Sequence, residues 1–467
     1  MKRILYLGFF LPPSRASGVY RTRATANHLA ARGWEVTALA APLRFLRDIV
    51  ASVDESLVAT VDPRVRVERP DMSYYPWETD IRRFSRLRQA FPTIATKVNR
   101  QRSRRGFPEA YASWGWRAAR TGLRLHRRRR FDAILATGNP FVALAAAWLV
   151  NRLTGVPYIV DYRDSWTLNL FTDEPAHPPG HASWRWERRI LSQASGIVFV
   201  NEALREWHAA RYPAFADKMM VVPNGWDPDL LDLSAAEEQA ARERAAAPDR
   251  PLQYGFLGTV THNQPVDEMV AAFRLARAHP SLAGAQLNIH GHLGFYPHNA
   301  GPLKDRLGIP RAAEESDDGA VRYRGPVAKT AVASVYTSSD VLVFLAGGAR
   351  YVTSGKIFEY MASGRPIVSV HAPGIAAQEV LSGYPLWFHA DSLEPAAVAE
   401  AMVAAGAAAR AADPALRAAA QRWAASFARE KLLTPLVDRL EALAARPGRA
   451  AGAVAVTGAR QPACEEG

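Results

Sequence analysis

Two successive series of short apolar runs, each followed by a helix-forming stretch, constrain this chain more than any other feature. In the first series, residues 3–10, 34–40, 131–137, 157–161, 196–200 and 219–222 read as strands, and 22–32, 141–153, 184–194 and 202–211 as helices. In the second, strands are expected at 252–257, 286–289, 321–324, 341–345, 367–370 and 386–388, with helices between them. Strands that alternate with helices form parallel sheets covered on both faces by their connections. The chain has 467 residues, more than one core usually serves. The expected fold class is therefore α/β, with two Rossmann-like domains facing each other across a cleft. The first domain is expected over 1–228, an acidic, Ala-rich linker over 229–250 and the second domain over 251–420. Helices over 421–446 are expected to cross back onto the first domain, and 447–467 to form a disordered tail.

Residues 41–130 break the pattern. They are Arg-rich, carry Pro and aromatic residues, and read as an insertion of helices and loops in the first domain. Charge is uneven in the same way. Residues 1–130 hold 27 Lys and Arg against 10 Asp and Glu, and Glu109 is the only acid within 81–130. The remainder is slightly acidic, with 31 against 35. The first half should attract an anionic surface or ligand. Arg100 to Arg105, Arg127 to Arg130, Trp114 and Trp116 suggest a basic, aromatic patch on anionic lipid. A solvated basic face accounts for the same residues, and nucleic acid is the least favoured partner because no recognition motif is present.

The single cysteine, Cys464, permits no disulfide within one chain, which suits a reducing, cytoplasmic setting. The opening MKRILYLGFFLPP reads as a first strand rather than a signal peptide, and no run reaches membrane-spanning length. The loop from Leu11 to Tyr20 lacks G-x-G-x-x-G, which argues against a nicotinamide or flavin site.

The chemistry concentrates in Thr353-Ser354-Gly355-Lys356-Ile357-Phe358-Glu359-Tyr360, between two expected strands. Thr353 or Ser354 can cap the helix, leaving the amides of Gly355 and Lys356 for an anion. Lys356 lies in the first turn, and Glu359 follows three residues later on the same face. Such an end suits a diphosphate, with a carboxylate for ribose hydroxyls. The same spacing also describes a surface ion pair, with Gly364 and Pro366 as helix-stop residues. Asp161, Arg163 and Asp164 follow an expected strand at its C-terminal end, where α/β proteins place ligands. An Asp there can orient or deprotonate a hydroxyl, or Arg163 can pair with both acids structurally.

The segment 353–366 resembles the S-K-x-x-E-Y-x-A-x-G-x-P stretch of retaining glycosyltransferases of family 4, which have the GT-B fold and bind a nucleotide sugar there. Three further segments carry the resemblance: the opening strand and loop with Gly18, the stretch PYIVDYRDSW from Pro157, and Val222-Pro223-Asn224-Gly225-Trp226-Asp227. The S-K-x-x-E-Y style and the D-x-R-D-x-W loop, here Asp161-Tyr162-Arg163-Asp164-Ser165-Trp166, are similar to those of a branch of the family associated with polysaccharide assembly. Two departures stand out. Tyr351 occupies the position of the first of two family glutamates, and the loop Gly258-Thr259-Val260-Thr261-His262-Asn263-Gln264 lacks the family's Arg and Lys.

The resemblance implies a nucleotide-sugar donor, expected to be a UDP-sugar, bound by Gly18, Gly258, Thr259, Gly355, Lys356 and Glu359. It places Asp161, Arg163 and Asp164 at the reacting centre and implies transfer with retention to an acceptor saccharide, lipid-linked sugar or small-molecule aglycone. Neither cofactor nor metal is expected. Asp227-Pro228-Asp229 reads as a domain end, and His290-Gly291-His292 as a loop lining the cleft. A sugar-nucleotide isomerase on the same scaffold, or a binding module without activity, are the alternatives.

Overall fold

The computed structural model describes residues 1–445 other than 79, 248, 295–299, 314 and 348–349, and the backbone alone at 99, 100, 102–105 and 330. The expected tail over 447–467, with Cys464, lies outside the described residues.

The strands of the first domain are β1 (Arg3–Leu7), β2 (Glu35–Leu39), β3 (Arg66–Glu68), β4 (Ala133–Gly138), β5 (Tyr158–Tyr162), β6 (Gly196–Phe199) and β7 (Met219–Val221). They form one sheet in the order β3-β2-β1-β4-β5-β6-β7, parallel throughout. The second domain holds β8 (Gln253–Leu257), β9 (Gln286–His290), β10 (Ser316–Asp317), β11 (Val321–Gly325), β12 (Val341–Ala346), β13 (Ile367–His371) and β14 (Trp387–His389). Their order is β10-β11-β9-β8-β12-β13-β14, parallel except for the β10–β11 edge pair. β4 and β5 are buried at every residue, as strands covered by helices on both faces must be. Strand order reverses between β1 and β4 in one sheet and between β8 and β12 in the other. The loops leaving these strands at their C-terminal ends are where an open α/β sheet opens a crevice.

Three expectations are corrected. Residues 41–130 are not simply an insertion. They supply the edge strand β3, and the helix Ala112–Arg128 buries Trp114, Ala118 and Leu125 in the first core. Trp114 is fully buried and donates its indole N–H to Ala40 O, so it belongs to no surface patch. The stretch 229–250 is more than a plain linker: Ser234–Ala246 is a helix, and its Glu237 pairs with Arg244 of the same helix and with Arg365 and Arg417 of the second domain. β10, only two residues long, was not expected and pairs antiparallel.

The return to the first domain takes place as expected. Trp226 forms an isolated bridge to Ala428: its N–H donates to Phe427 O at 3.2 Å and its carbonyl accepts from the Arg429 N–H at 2.9 Å. The helix Arg429–Ala445 then buries Leu433, Leu436, Val437 and Leu440 against Ile4, Tyr6, Leu29 and Val36. Each such side chain contributes about 2 kcal/mol of apolar burial. Asp227 and Asp229 secure this junction by pairing with Arg429 and Arg23, in keeping with a structural reading of that acidic pair. No described helix is long and apolar enough to cross a membrane.

Candidate active site

The helix Gly355–Ala362 leaves β12 with Ser354 as its cap, its hydroxyl 3.4 Å from the Lys356 amide. Thr353, the other candidate cap, is instead buried beside Asn201 Nδ2 at 3.4 Å. The Gly355 amide has no protein partner among the described residues. Apolar positions turn this helix into the second core, and Glu359 is carried with them, only 9% exposed.

A buried carboxylate needs partners, and Glu359 has three. Lys329 Nζ donates to Oε1 at 2.8 Å, the Tyr336 hydroxyl to Oε2 at 2.6 Å, and Lys356 Nζ approaches Oε2 at 3.4 Å. Burial opposes ionisation, but Lys356 and Lys329 outweigh it and hold the carboxyl down at about 2. Burial acts against the Lys329 charge, yet Glu359 and the Tyr20 ring raise its pKa. Lys356 is lowered by burial and by Lys329, with Glu359 opposing. Their exposures separate their roles: the Lys329 side chain is 8% exposed and that of Lys356 33%. Lys329 anchors the carboxylate, and Lys356 keeps donors free towards the cleft.

Lys329 escapes a reading of the sequence because it opens a three-residue 3-10 turn after β11 with no local pattern around it. One signal was available. Lysine accounts for only 7 of the 58 cationic residues, and two of these seven meet at Glu359.

Across the cleft, Lys329 Nζ lies 4.8 Å from the Tyr20 ring, at the start of the helix Val19–Ala31. Gly18 caps that helix. Its immediate neighbour is Arg163 of its own domain: a Cβ built on Gly18 would lie 1.8 Å from Arg163 Nη1. Arg163 pairs with neither acid beside it. Its Nε and Nη2 donate to the carbonyls of Gly138 and Asn139 at 3.0 and 3.1 Å. Glu109 in turn accepts the amides of Phe141 and Val142 at 3.0 and 2.7 Å, fixing the same loop.

The structure separates the two acids of the β5 loop. Asp161 is 1% exposed, with both oxygens engaged by Arg21 and one also by Thr137. This places it beneath the cleft as an anchor, with Arg21 buried beside it. Asp164 is partly exposed and has no protein hydrogen bond among the described residues. The loop behind it rests on buried Glu187, which accepts hydrogen bonds from Thr167 at 2.7 Å and Tyr212 at 2.7 Å.

On the second domain, Gly258 and Thr259 form the loop leaving β8. Gly258 donates to His290 O at 2.9 Å, and Gly291, at φ +136°, lies so near that a Cβ would fall 1.7 Å from Gly258 O. Only glycine fits this crossing. Thr259 is partly exposed with no hydrogen bond from its hydroxyl among the described residues. Burial, then the charge of Arg15 from the facing domain, lowers the His292 pKa. Among the described residues, no three His, Cys, Asp or Glu side chains gather in a metal-binding group.

Tyr351, at the position of the family's first glutamate, bridges the domains. Its hydroxyl bonds Asp173, which also pairs with Arg350, and its carbonyl accepts from Asn201 Nδ2 at 2.8 Å. Asn224 adds a bond to Thr353 O at 3.3 Å. The cleft is thus drawn together by side chains from both walls.

Comparison with known proteins identifies the family and the fold. Residues 18–225 match the family described as Glycosyl transferase 4-like domain, and residues 251–406 that described as Glycosyl transferases group 1. The D-inositol 3-phosphate glycosyltransferase of Stackebrandtia nassauensis is 29% identical over 238 residues, 49% of this chain and 51% of that protein. The match therefore spans about half the length of the curated relative. Among solved structures, a glycosyltransferase from Rickettsia africae has a TM-score of 0.62 at 12% identity, over 96% of this chain and 99% of that one. Anabaena HepE in complex with UDP-glucose has a TM-score of 0.59 at 15% identity, over 95% and 100%. At these identities the likeness concerns the fold.

Proposed function

This chain belongs to the group 1 glycosyltransferases of GT-B fold, and from that premise we propose that it moves a sugar from a nucleotide-sugar donor to an acceptor hydroxyl. The observation that carries the reading is the Lys329–Glu359–Lys356 cluster, set at the C-terminal edge of the second sheet and opposed by Tyr20. Transfer leaves a diphosphate, so groups that meet growing negative charge lower the barrier. Lys356 supplies that charge, and the Gly355 amide and the Thr259 hydroxyl are the further donors offered to the phosphates. Glu359 fixes both ammonium groups and offers its remaining Oε1 lone pair to a ribose hydroxyl. Gly18 and Gly258 allow the donor to approach the backbone.

Asp164 is the acid of the β5 loop free to orient the acceptor hydroxyl, and Arg163 presents its unbonded Nη1 beside Gly18. Asp161 supports the loop from below. UDP is the nucleotide of choice, supported by the fold shared with a UDP-glucose complex. The reaction retains configuration and runs without metal, as the family resemblance implies. The acceptor is a saccharide, a lipid-linked sugar or a small aglycone on the cytoplasmic side.

Thermal shift of the purified chain with UDP, GDP, ADP, dTDP and their sugar conjugates tests the donor site. Stabilisation by one nucleotide family is expected. Lys356→Ala should weaken it by about 10-fold or more, the value of a charge-assisted phosphate contact. If no nucleotide stabilises the protein at millimolar concentration, the donor assignment falls.

A further inference from the structure

Exposed apolar surface is concentrated in one place. Of the 13 large apolar side chains exposed among the described residues, Ile81, Leu87, Phe91, Ile94 and Val98 share a single short stretch, at 49 to 74% exposure. The stretch folds into the helices Arg86–Ala90 and Pro92–Arg105, and no described side chain of either is buried. Ile94 and Val98, four residues apart, share one face of the second helix, while Leu87 belongs to the first helix and Phe91 to the non-helical joint between the two.

The charge of the stretch is one-sided. Residues 81–108 contain nine Lys and Arg and no acid. Arg82 and Arg83 lean on Asp80, and Arg88 packs over Phe84 and Tyr75. Arg86 on the first helix and Lys97 on the second have no acidic partner among the described residues, and the second helix continues through Arg100, Arg102, Arg104 and Arg105. Unpaired cations interleaved with bare aliphatic and aromatic side chains suit an interface that is anionic outside and apolar beneath. The patch expected around Arg127 to Arg130 lies elsewhere: Arg129 pairs with Glu35 at the N-terminal end of β2, away from the cleft.

The foot of this arm is fastened to the cleft. Gly106 O accepts the Trp186 indole N–H at 3.2 Å, and Phe107 stacks on Trp166 at 4.8 Å, two residues beyond Asp164. Trp116, itself part-exposed, lies against both Phe107 and Trp186.

We propose that residues 81–105 form an arm that docks on the surface of an anionic lipid bilayer, laying its apolar side chains below the headgroups and its cations against them. Docking there turns the Arg163–Trp166 loop towards the lipid surface. Delivery of a lipid-borne acceptor to Asp164 rests on the transferase reading, whereas the docking itself does not.

Flotation with vesicles of equal parts phosphatidylglycerol and phosphatidylcholine, against phosphatidylcholine alone, tests this. The full chain should float with the mixed vesicles at least ~10-fold more strongly. Phe91→Glu with Ile94→Glu, and separately Arg86→Glu with Lys97→Glu, should each lower binding by ~10-fold or more. Both variants alter exposed positions only, so an unchanged melting temperature and nucleotide shift certify their fold. Vesicle binding without any nucleotide shift would remove the transferase reading and leave the arm standing. Failure of the full chain to bind mixed vesicles, or binding equal in the variants, would overturn the proposal. Self-association lost in the Phe91→Glu, Ile94→Glu variant, without vesicle binding, would give the face to a second copy of the chain and overturn it as well.

Discussion

Arg21 and Asp161 form a two-point ion pair inside the first domain, Nε to Oδ2 at 2.9 Å and Nη2 to Oδ1 at 2.8 Å. The remaining Arg21 nitrogen, Nη1, reaches the carbonyls of Val222 and Pro223 at 2.9 and 3.0 Å. One guanidinium thus ties the first crossover helix, β5 and the end of β7 together. Removing one partner strands a buried charge, so Asp161→Ala should cost about 3–5 kcal/mol of stability. Asp164→Ala should cost under ~1 kcal/mol and instead lower turnover by roughly 10²-fold or more. Urea unfolding and initial-rate kinetics on the two variants would check this. A stable, inactive Asp161→Ala would reverse the assignment.

Gly18 and Arg163 make a second prediction. A methyl group at Gly18 meets the far end of a flexible side chain rather than backbone, so the fold accommodates it while the guanidinium moves. Gly18→Ala should keep the melting temperature and lose about 10- to 100-fold in turnover, the scale of a misplaced reacting group. Unchanged turnover would show that Arg163 takes no part.

Glu359 predicts a feature of the acid limb. Its carboxyl lies near 2 in the folded protein against an ordinary 4.5. A depressed carboxyl stabilises the fold above its unfolded value, and that stability is lost as pH falls through the folded one. Wild type should therefore lead Glu359→Gln by up to about 3 kcal/mol at pH 7, with the gap closing between roughly pH 4.5 and 2. Parallel stability curves for the two proteins would contradict the Lys329–Glu359–Lys356 arrangement.

Glu109 predicts the opposite sign. Burial pushes its carboxyl up to about 7, although two amides partly offset the effect. A raised carboxyl favours the fold when protonated, so that contribution is full below about pH 4.5 and fades as pH rises through 7. Glu109→Gln should remove this slope. Melting temperatures of the two proteins at pH 5 and pH 8 measure it, and an equal change in both would refute it.

Where the sequence was legible, the physics was local. The run of β12 is apolar from end to end, those of β4 and β5 are apolar but for Thr137 and Asp161, and Gly33, Gly155 and Gly364 mark helix ends in the left-handed region. The segment containing Gly355, Lys356 and Glu359 was found because three residue types lie within one helical turn. What escaped depended on contacts between distant parts of the chain. Arg21 and Asp161 lie 140 residues apart, and Lys329 is 30 from Glu359. The helix Ala112–Arg128 was hidden by its own arginines, since Trp114, Ala118, Gly122 and Leu125 form a clear stripe only when the solvent face is set aside. β10 is too short to leave a periodic signal.

The return of Arg429–Ala445 to the first sheet has a consequence for biosynthesis. Leu433, Leu436, Val437 and Leu440 cover a face made by Ile4, Tyr6, Leu29 and Val36. During translation those four early residues emerge from the ribosome long before their cover exists, and the whole second domain is made in between. The first domain therefore waits, with an apolar face open to solvent or to a chaperone, until the last helix arrives. Release of a shortened chain lacking that helix would leave the face open for good, so the cell meets an incomplete copy as a sticky one.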